Sequence, residues 1–206
     1  MHEVYWIRHA ESTANVVARI DNQTGILLTP RGYEQAASLA QSWNSPPELI
    51  VTSPYIRTQL TAQPLCQKFP QVPVTQWNVQ EFTYLTIAAS RGTTMEERRS
   101  LSRPYWDALD PALCLGEGGE SFIAFQLRII EAVKLAMAPR RGALVIFTHN
   151  RVLLLVMQLI ISAPTNSLTA MRKLQAMVGL WDIPNCGILR MVVDGKKVTI
   201  GRAEPS

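Results

Sequence analysis

The stretch V-Y-W-I-R-H-A-E-S occupies residues 4–12 and decides how the chain begins to fold. Its first four residues are aromatic or β-branched, and such residues favour an extended strand. Arg8 and His9 follow at the point where the predicted strand gives way to a loop. Because open α/β folds bind ligands at the carboxyl ends of their strands, the sequence predicts a binding edge at this pair.

The same pattern occurs twice more along the chain. Residues 48–52 (ELIVT) run into Ser53-Pro54, and residues 143–147 (ALVIF) run into Thr148. Each apolar run stops at polar residues and is followed by a segment with helical character. If the three strands are parallel neighbours, one edge of the sheet gathers four reactive side chains, those of Arg8, His9, Arg57 and His149.

This cluster predicts an anion site. Two guanidinium groups and two imidazoles converge, and no comparable cluster of Asp or Glu accompanies them. Phosphate is the anion that such a site usually takes, because an arginine fork binds two of its oxygens at once. A histidine in that setting can be a nucleophile, which takes the phosphoryl group before water or another acceptor removes it.

Further motifs follow in order along the chain. They are Arg8-His9-Ala10-Glu11-Ser12 with Asn15, then Ser53-Pro54 with Arg57 and Thr61-Ala62, then Glu81, then residues 118–121 (GGES), then Thr148-His149. This ordered set covers nearly the whole chain and resembles the histidine phosphatase superfamily, in the branch that includes cofactor-dependent phosphoglycerate mutases. Two departures stand out: Ala10 replaces the usual Gly, and Thr148-His149-Asn150-Arg151 replaces the usual Ser-His-Gly-Gly.

The resemblance implies a role for each motif residue. His9 would accept the phosphoryl group, while Arg8 and Arg57 would bind its oxygens without a metal. His149 would donate a further hydrogen bond to the same oxygens. Glu81 would protonate the leaving oxygen and then act as a base. Asn15 would donate to phosphate, and Asn150 is predicted to bind beside it.

Each of these residues also has an ordinary structural explanation. His9 and His149 could be satisfied in a core or a turn, or at a strand end by a backbone carbonyl. The two arginines could lie on the surface and cover apolar area with their stems. Asn15 could close a turn, for which Asn is well suited, and Glu81 could be a solvated carboxylate.

The predicted elements indicate a three-layer α/β/α sandwich with a mostly parallel central sheet, the fold of the phosphoglycerate mutases. Thr29 is predicted to cap a helix that begins at Pro30, and Ser53 to cap a helix over residues 54–68. The stretch between residues 11 and 26 is predicted as a loop. The remaining elements are a strand at 72–77, helices at 121–138 and 151–162, and a tail at 176–200 with a hairpin around Asp194-Gly195.

Residues 79–120 lose clear periodicity within what we predict to be one domain over residues 1–206. Arg103-Pro104 and several glycines interrupt them. We expect this lid segment, residues 79–120, to contain short helices, to cover the pocket and to select the substrate, because long irregular connections often carry function. Its candidate recognition residues are Tyr84, Arg91, Tyr105 and Trp106, whose aromatic members could instead form a small satellite core.

The composition narrows the class of protein. With 206 residues, of which 47% are hydrophobic, the chain can bury one domain. Its net charge of +4 suits anionic substrates but is too modest to predict nucleic-acid binding. The three cysteines are odd in number and have no metal-type spacing, so we expect neither a disulfide framework nor a metal site. We expect a reducing, cytoplasmic location instead. The apolar run at residues 152–161 is shorter than the roughly 20 residues of a membrane span.

The sequence therefore predicts a metal-independent phosphomonoesterase of the histidine acid phosphatase type, which needs no cofactor. The alternatives are a phosphoglycerate-mutase-type phosphotransferase and a catalytically silent phospholigand-binding protein. Chain length, and the lack of a Phe-x-Gly-Trp segment after Asn15, favour the phosphatase. The expected partners are a small phosphorylated substrate, or alternatively a phosphoprotein, and a second copy of the chain in a homodimer. No contact with nucleic acid or membrane is expected.

Overall fold

The computed structural model describes residues 1–203 apart from 17, 18, 20–22, 163–165, 182 and 196. Within this part of the chain the strands are β1 (His2–Arg8), β2 (Leu49–Thr52), β3 (Val74–Gln76), β4 (Leu144–Thr148), β5 (Ile188–Asp194) and β6 (Lys197–Ala203). They form a single sheet in the spatial order β3-β2-β4-β1-β5-β6. Strands β3, β2, β4 and β1 run parallel, and β5 and β6 are antiparallel additions at one side.

Seven helices surround the sheet in the described residues. They are α1 (Pro30–Gln41), α2 (Ile56–Lys68), α3 (Ile87–Ser90), α4 (Met95–Ala108), α5 (Phe122–Met137), α6 (Asn150–Ile161) and α7 (Ser167–Leu180). None of the described helices is both long and apolar enough to cross a bilayer.

The strand register brings three strand ends to one edge of the sheet. Arg8 of β1 pairs with Thr148 of β4, and Thr52 of β2 pairs with Phe147 of β4. The backbone N–H of His9 continues the ladder by donating to the Thr148 carbonyl at 2.9 Å. The predicted parallel arrangement of β1, β2 and β4 is therefore confirmed.

Side chains of the central strands alternate between two layers of helices. Trp6 of β1 and Ile146 of β4 pack in the core against α5, α6 and α7. Ile7 and Phe147, one position further along, pack in the opposite core against α1 and α2. All five residues of β4 are buried, because this strand is covered on both faces. The three-layer α/β/α sandwich with a mostly parallel sheet is confirmed.

The structure corrects the prediction for the start of α2. Tyr55, rather than Ser53, is the N-cap residue, and α2 begins at Ile56. The Ser53 hydroxyl does accept a hydrogen bond from the Tyr55 N–H at 3.2 Å, but it also bonds to His149 in the site described below. Ser53 therefore contacts both the start of α2 and the buried His149.

The lid segment contains more helix than the sequence indicated. Pro104 lies inside α4 instead of ending it. Thr94 and Glu97 form a reciprocal capping box at its start, with Glu97 accepting from the Thr94 N–H at 2.7 Å. Pro104 and Ser100 are both exposed, so the carbonyl that loses its helical partner stays within reach of water.

Helix α7 was missed entirely by the sequence prediction, which left residues 167–175 unassigned and placed the rest in the tail. Ala170, Met171 and Leu174 have helical spacing and are fully buried against α6 and α5. Asn166 caps the helix by accepting from the Thr169 N–H at 2.8 Å. The predicted terminal hairpin is confirmed as β5 and β6, although one residue of its turn lies outside the described part. Five residues of the predicted loop at 11–26, and residues 204–206, also lie outside it.

Lys68 joins the ends of the two helices on one face of the sheet. Its ammonium group donates to the carbonyls of Ala40, Gln41 and Trp43 at 3.0, 3.0 and 2.7 Å. These carbonyls lie at the C-terminal end of α1, which has no basic residue in its own last turn. A cation there adds donors to the carbonyls at the end of the helix and opposes the helix dipole.

Replacing Lys68 by Met should lower the free energy of unfolding by about 1 to 2 kcal/mol, because the cap and its charge are lost while the aliphatic stem is kept. Urea unfolding followed by circular dichroism measures this change. Lys134→Met is the matched control, because its ion pair with Glu131 joins side chains that are 69% and 63% exposed. The control should shift stability by less than about 0.5 kcal/mol. Equal effects in the two variants would contradict the cap.

Candidate active site

A cavity of about 490 Å³ lies at the carboxyl ends of β1, β2 and β4. The structure brings six of the seven predicted site residues to its wall, namely Arg8, His9, Asn15, Arg57, Glu81 and Asn150. The seventh, His149, is fully buried and lies behind His9, with 5.2 Å between the centroids of the two rings. The order of strands in the sheet therefore assembles residues that are up to 142 positions apart, from Arg8 to Asn150.

His9 is held in one orientation by the next peptide unit. Its Nδ1 lies 2.7 Å from the Ala10 carbonyl oxygen. Because a carbonyl can only accept, Nδ1 carries the hydrogen and Nε2 keeps a lone pair. The Ala10 N–H in turn donates to the Thr61 hydroxyl at 3.0 Å. The replacement of the family's usual Gly by Ala10 leaves this arrangement intact, with the Ala10 side chain buried.

The backbone around His9 is fixed from three sides. The Asn185 side chain donates to the His9 carbonyl at 2.9 Å, and the Cys186 N–H donates to the Arg8 carbonyl at 3.1 Å. On the opposite side Gly32 of α1 touches the same segment, since a Cβ on Gly32 would lie 2.0 Å from the Glu11 carbonyl oxygen. Asn185 was not predicted, and no sequence signal marks it.

The electrostatic surroundings keep His9 neutral. Burial is the main cause that holds the pKa of His9 well below its usual range, and the positive charges of Arg57 and Arg8 lower the pKa further. The hydrogen bond to Ala10 acts in the opposite direction but is outweighed. A neutral imidazole with a free Nε2 lone pair is the form that can attack phosphorus.

His149 bonds to a hydroxyl and not to a carbonyl, contrary to the ordinary strand-end explanation. Its Nε2 lies 2.8 Å from the Ser53 hydroxyl oxygen, which also contacts the Thr58 hydroxyl at 2.9 Å. Burial, followed by the charge of Arg57, holds the pKa of His149 well below its usual range. Its Nδ1 is buried and has no hydrogen-bond partner among the described residues. Contact between His149 and a phosphoryl oxygen stays a prediction.

Arg57 is not a surface arginine, because only 6% of it is exposed. Its guanidinium donates to the Gln23 carbonyl at 2.7 Å and stacks 4.7 Å from the centroid of the Tyr55 ring. Burial lowers the pKa of Arg57 to about 10, although nearby Glu81 opposes the shift. Arg57 therefore remains a cation at neutral pH. Arg8 donates to the Ile183 carbonyl and lines the same cavity.

Asn15 does close a turn, as its structural explanation required. Its side-chain oxygen accepts from the N–H and the hydroxyl of Ser12 at 2.9 and 2.8 Å. Its amide nitrogen makes no hydrogen bond to another described residue, and Asn15 lines the cavity. The two explanations are therefore compatible, and donation to phosphate stays a prediction.

Glu81 faces the cavity from the start of the lid segment. Its two carboxylate oxygens accept from the Phe82 N–H at 3.0 Å and from the Arg151 N–H at 3.4 Å. These backbone contacts hold the carboxylate in the cavity wall, close enough to Arg57 to influence its charge. The position suits an acid for the leaving oxygen, a role that stays a prediction.

Asn150 and Arg151 open α6 at the cavity wall. The Asn150 side-chain oxygen is buried without a partner among the described residues. Arg151 was not predicted as a site residue, but its Nη2 lies 3.2 Å from the Tyr84 hydroxyl and its guanidinium stacks 5.0 Å from the ring centroid. The signal for Arg151 was its place two residues after His149, where the related family usually has Gly.

One of the four candidate recognition residues of the lid segment lies in the cavity wall, and the other three do not. Tyr84 lines the cavity. Arg91 is exposed and is absent from the cavity wall. Tyr105 is fully buried, and Trp106 packs with it and with Phe82, at ring-centroid distances of 5.4 and 6.1 Å. Tyr105 belongs to the same core as Trp6, and Trp106 packs against that core, so the two residues form neither the cavity wall nor a separate satellite core. No group of three or more His, Cys, Asp or Glu in the described residues is arranged to hold a metal ion.

The two buried neutral histidines predict a pH dependence of stability. Each has a folded-state pKa below its unfolded value of about 6.5, so the unfolded chain binds more protons below that pH. Stability should therefore fall as the pH drops from about 7.5 to 5.5, by up to about 1.4 kcal/mol per pH unit for each histidine. Urea unfolding at several pH values measures it. The His9→Ala and His149→Ala double variant should lose most of this slope, and an unchanged slope would contradict the assignment.

The chain matches the family model described as the histidine phosphatase superfamily (branch 1) over residues 4–202. No curated protein matches it. Three similar solved structures are the YhfR protein of Bacillus stearothermophilus, the alpha-ribazole phosphatase of Shigella flexneri, and the phosphoserine phosphatase of Entamoeba histolytica in complex with 3-phosphoglyceric acid.

The three structures share the fold along almost their whole length. Their identities to this chain are 22%, 20% and 21%, and their TM-scores are 0.73, 0.73 and 0.72, in the same order. The aligned regions cover 98%, 97% and 99% of this chain and 96%, 95% and 98% of the respective structures. At this identity the likeness shows the fold alone. The family match extends over nearly the whole chain and includes the cavity residues from Arg8 to Arg151, and on that ground the chain belongs to branch 1 of the histidine phosphatase superfamily.

Proposed function

We propose that this protein is a metal-independent phosphomonoesterase that works through a phosphohistidine at His9. The observation that carries the proposal is the state of His9. Its Nδ1 is tied to the Ala10 carbonyl, its Nε2 keeps a lone pair, and it shares the cavity with the cations Arg8 and Arg57. A nucleophile of this kind, beside fixed positive charge, suits attack on a phosphate monoester.

In the first step Nε2 of His9 attacks phosphorus and the bond from phosphorus to the ester oxygen breaks. Glu81 gives its proton to that leaving oxygen, so the alcohol departs neutral. Arg8 and Arg57 hold the equatorial oxygens, on which negative charge is spread in the transition state. His149 supports the cage from behind His9.

In the second step water attacks the phosphohistidine. Glu81, now a carboxylate, takes a proton from the water, the bond between phosphorus and Nε2 breaks, and inorganic phosphate leaves. His9 returns to its neutral form and Glu81 to its acid form. The buried surroundings that lower the pKa of His9 favour its departure as a neutral imidazole.

The comparisons support hydrolysis over the two alternatives. Two of the similar structures are described as phosphatases, one for alpha-ribazole phosphate and one for phosphoserine. A mutase would instead keep the phosphoryl group for a second acceptor, and a silent binding protein would not transfer it. The altered Thr148-His149-Asn150 surroundings are the one feature that favours a silent binding protein, but all the catalytic residue types are present.

The proposal is tested first with His9→Ala. The wild-type protein should hydrolyse 4-nitrophenyl phosphate between pH 5 and 8 in the presence of a chelator, and the variant should lose at least about 1,000-fold in kcat, because the nucleophile is gone. His2→Gln is the matched control, since His2 lies far from the cavity and bonds to the Ala136 carbonyl at 3.0 Å. Wild-type turnover that persists in His9→Ala, or that the chelator abolishes, would contradict the mechanism.

The acid role is tested with Glu81→Gln and two leaving groups. An alkyl phosphate needs a proton on the leaving oxygen, so its kcat should fall about 100- to 10,000-fold. 4-Nitrophenolate leaves without a proton, so the formation of phosphohistidine from 4-nitrophenyl phosphate should slow far less than turnover of the alkyl phosphate. Rapid-quench kinetics measures this step. Glu117→Gln, an exposed carboxylate of the same lid segment, is the control. Equal losses on both substrates would remove Glu81 from the acid role.

A further inference from the structure

Arg151 is a cation in the cavity wall that lacks an anionic partner among the described residues. Its guanidinium contacts the neutral ring and hydroxyl of Tyr84, at 5.0 Å from the centroid and 3.2 Å from the oxygen. Its Nε is buried and has no hydrogen-bond partner in the described part of the chain. A partly buried guanidinium with unused donors is costly unless a ligand completes it.

The charges of the cavity wall exceed what one phosphoryl group needs. Among the described residues, five arginines line the cavity against one carboxylate, that of Glu81; they are Arg8, Arg57, Arg98, Arg99 and Arg151. Arg8 and Arg57 lie at the His9 end and match one phosphoryl dianion. Arg98 has the carboxylate of Glu97 close enough to act on its charge, and Arg99 is exposed at the rim. Arg151 is therefore the cation inside the cavity whose charge is balanced neither by a described carboxylate nor by the phosphoryl group.

The position of Glu81 places Arg151 on the side of the leaving group. Glu81 accepts the backbone N–H of Arg151 at 3.4 Å and lines the same cavity as Tyr84, three residues further along the chain. The carboxyl group therefore lies beside the Arg151–Tyr84 pair. Since Glu81 is proposed to protonate the leaving oxygen, the rest of the leaving alcohol extends towards that pair.

We infer that Arg151 and Tyr84 form a second anion subsite, so that the substrate is a phosphomonoester whose alcohol part carries a further anionic group, a carboxylate or a second phosphate. This inference rests on the proposed function, because it uses the direction in which the alcohol leaves.

The chemistry of the pair suits this group. A guanidinium fork binds two oxygens of a carboxylate or a phosphate at once. The Tyr84 oxygen accepts from Arg151, so its own hydrogen is available to donate to the same anion. The stacking of the guanidinium on the Tyr84 ring keeps the fork in place before the ligand arrives. Neither side chain is needed to attack phosphorus.

The test measures binding in the His9→Ala protein, in which ligands are not consumed. Isothermal titration calorimetry compares two pairs of ligands: phosphoserine with phosphoethanolamine, which lacks the carboxylate, and glucose 1,6-bisphosphate with glucose 6-phosphate. The first pair tests a carboxylate and the second a phosphate as the second anion. In at least one pair, we expect the ligand with the second anionic group to bind about 10- to 100-fold more tightly than its partner.

Arg151→Gln in the same background should abolish that ratio while leaving the affinity for inorganic phosphate within about twofold, because inorganic phosphate occupies only the cage at His9. The retained phosphate affinity also shows that the variant is folded. Arg151→Lys should restore part of the ratio, since charge returns without the fork. Arg103→Gln, an exposed arginine of α4 outside the cavity wall, controls for overall charge and should keep the ratio.

Three results would overturn the subsite. The first is that neither pair shows a preference for the second anion, which includes the case in which none of the four ligands binds. The second is a preference that Arg151→Gln retains, and the third is a preference that Arg103→Gln abolishes as fully as Arg151→Gln does. Failure of the proposed function is read separately, from the turnover of 4-nitrophenyl phosphate by the protein with His9 intact. Turnover without second-anion preference rejects the subsite alone, and second-anion preference without turnover rejects the hydrolysis alone.

Discussion

The parallel pairing of β1 with β4 is the constraint on which the rest of the site depends. It aligns Arg8 with Thr148, and the next backbone bond, from the His9 N–H to the Thr148 carbonyl, carries the alignment past the end of the strand. Both histidines therefore leave the sheet at the same level. Once they do, the Ala10 carbonyl can orient His9 and the Ser53 hydroxyl can hold His149. A slip of one residue would turn these side chains to the other face.

The second constraint is electrostatic and follows from burial. The imidazoles of His9 and His149 are surrounded by apolar core and by arginines, so the charged form of each ring is disfavoured. Arg57, by contrast, keeps its charge even when it is buried, because a guanidinium is intrinsically so basic. The site thus combines neutral nitrogen with permanent positive charge. That combination attracts a phosphate dianion without protonating the group proposed to attack it.

The departure from Gly-Gly after His149 has a structural consequence at the start of α6. Glycines there would leave the wall bare, whereas Asn150 and Arg151 place an amide and a guanidinium against the ligand space. Tyr84 reaches Arg151 from the lid segment, so the variable part of the fold and the strand-end motif meet at one point. The family scaffold positions the residues of the proposed phosphoryl cage, and these added side chains are where this chain differs from the usual pattern.

Local patterns in the sequence were enough to predict the strands that run into Arg8, Ser53 and Thr148 and the helix cap at Thr29, because these features depend on neighbours in the chain. The resemblance to the family supplied the remaining candidate residues. Neither revealed α7, the continuation of α4 through Pro104, the bond from Ala10 to Thr61 or the partner Asn185, which arise from contacts between distant segments. The sequence by itself determined which groups could act on phosphate. Only the tertiary structure decided which of them face one cavity, that His149 lies behind His9 and that Arg151 joins the wall, because burial and register depend on how the sheet is assembled.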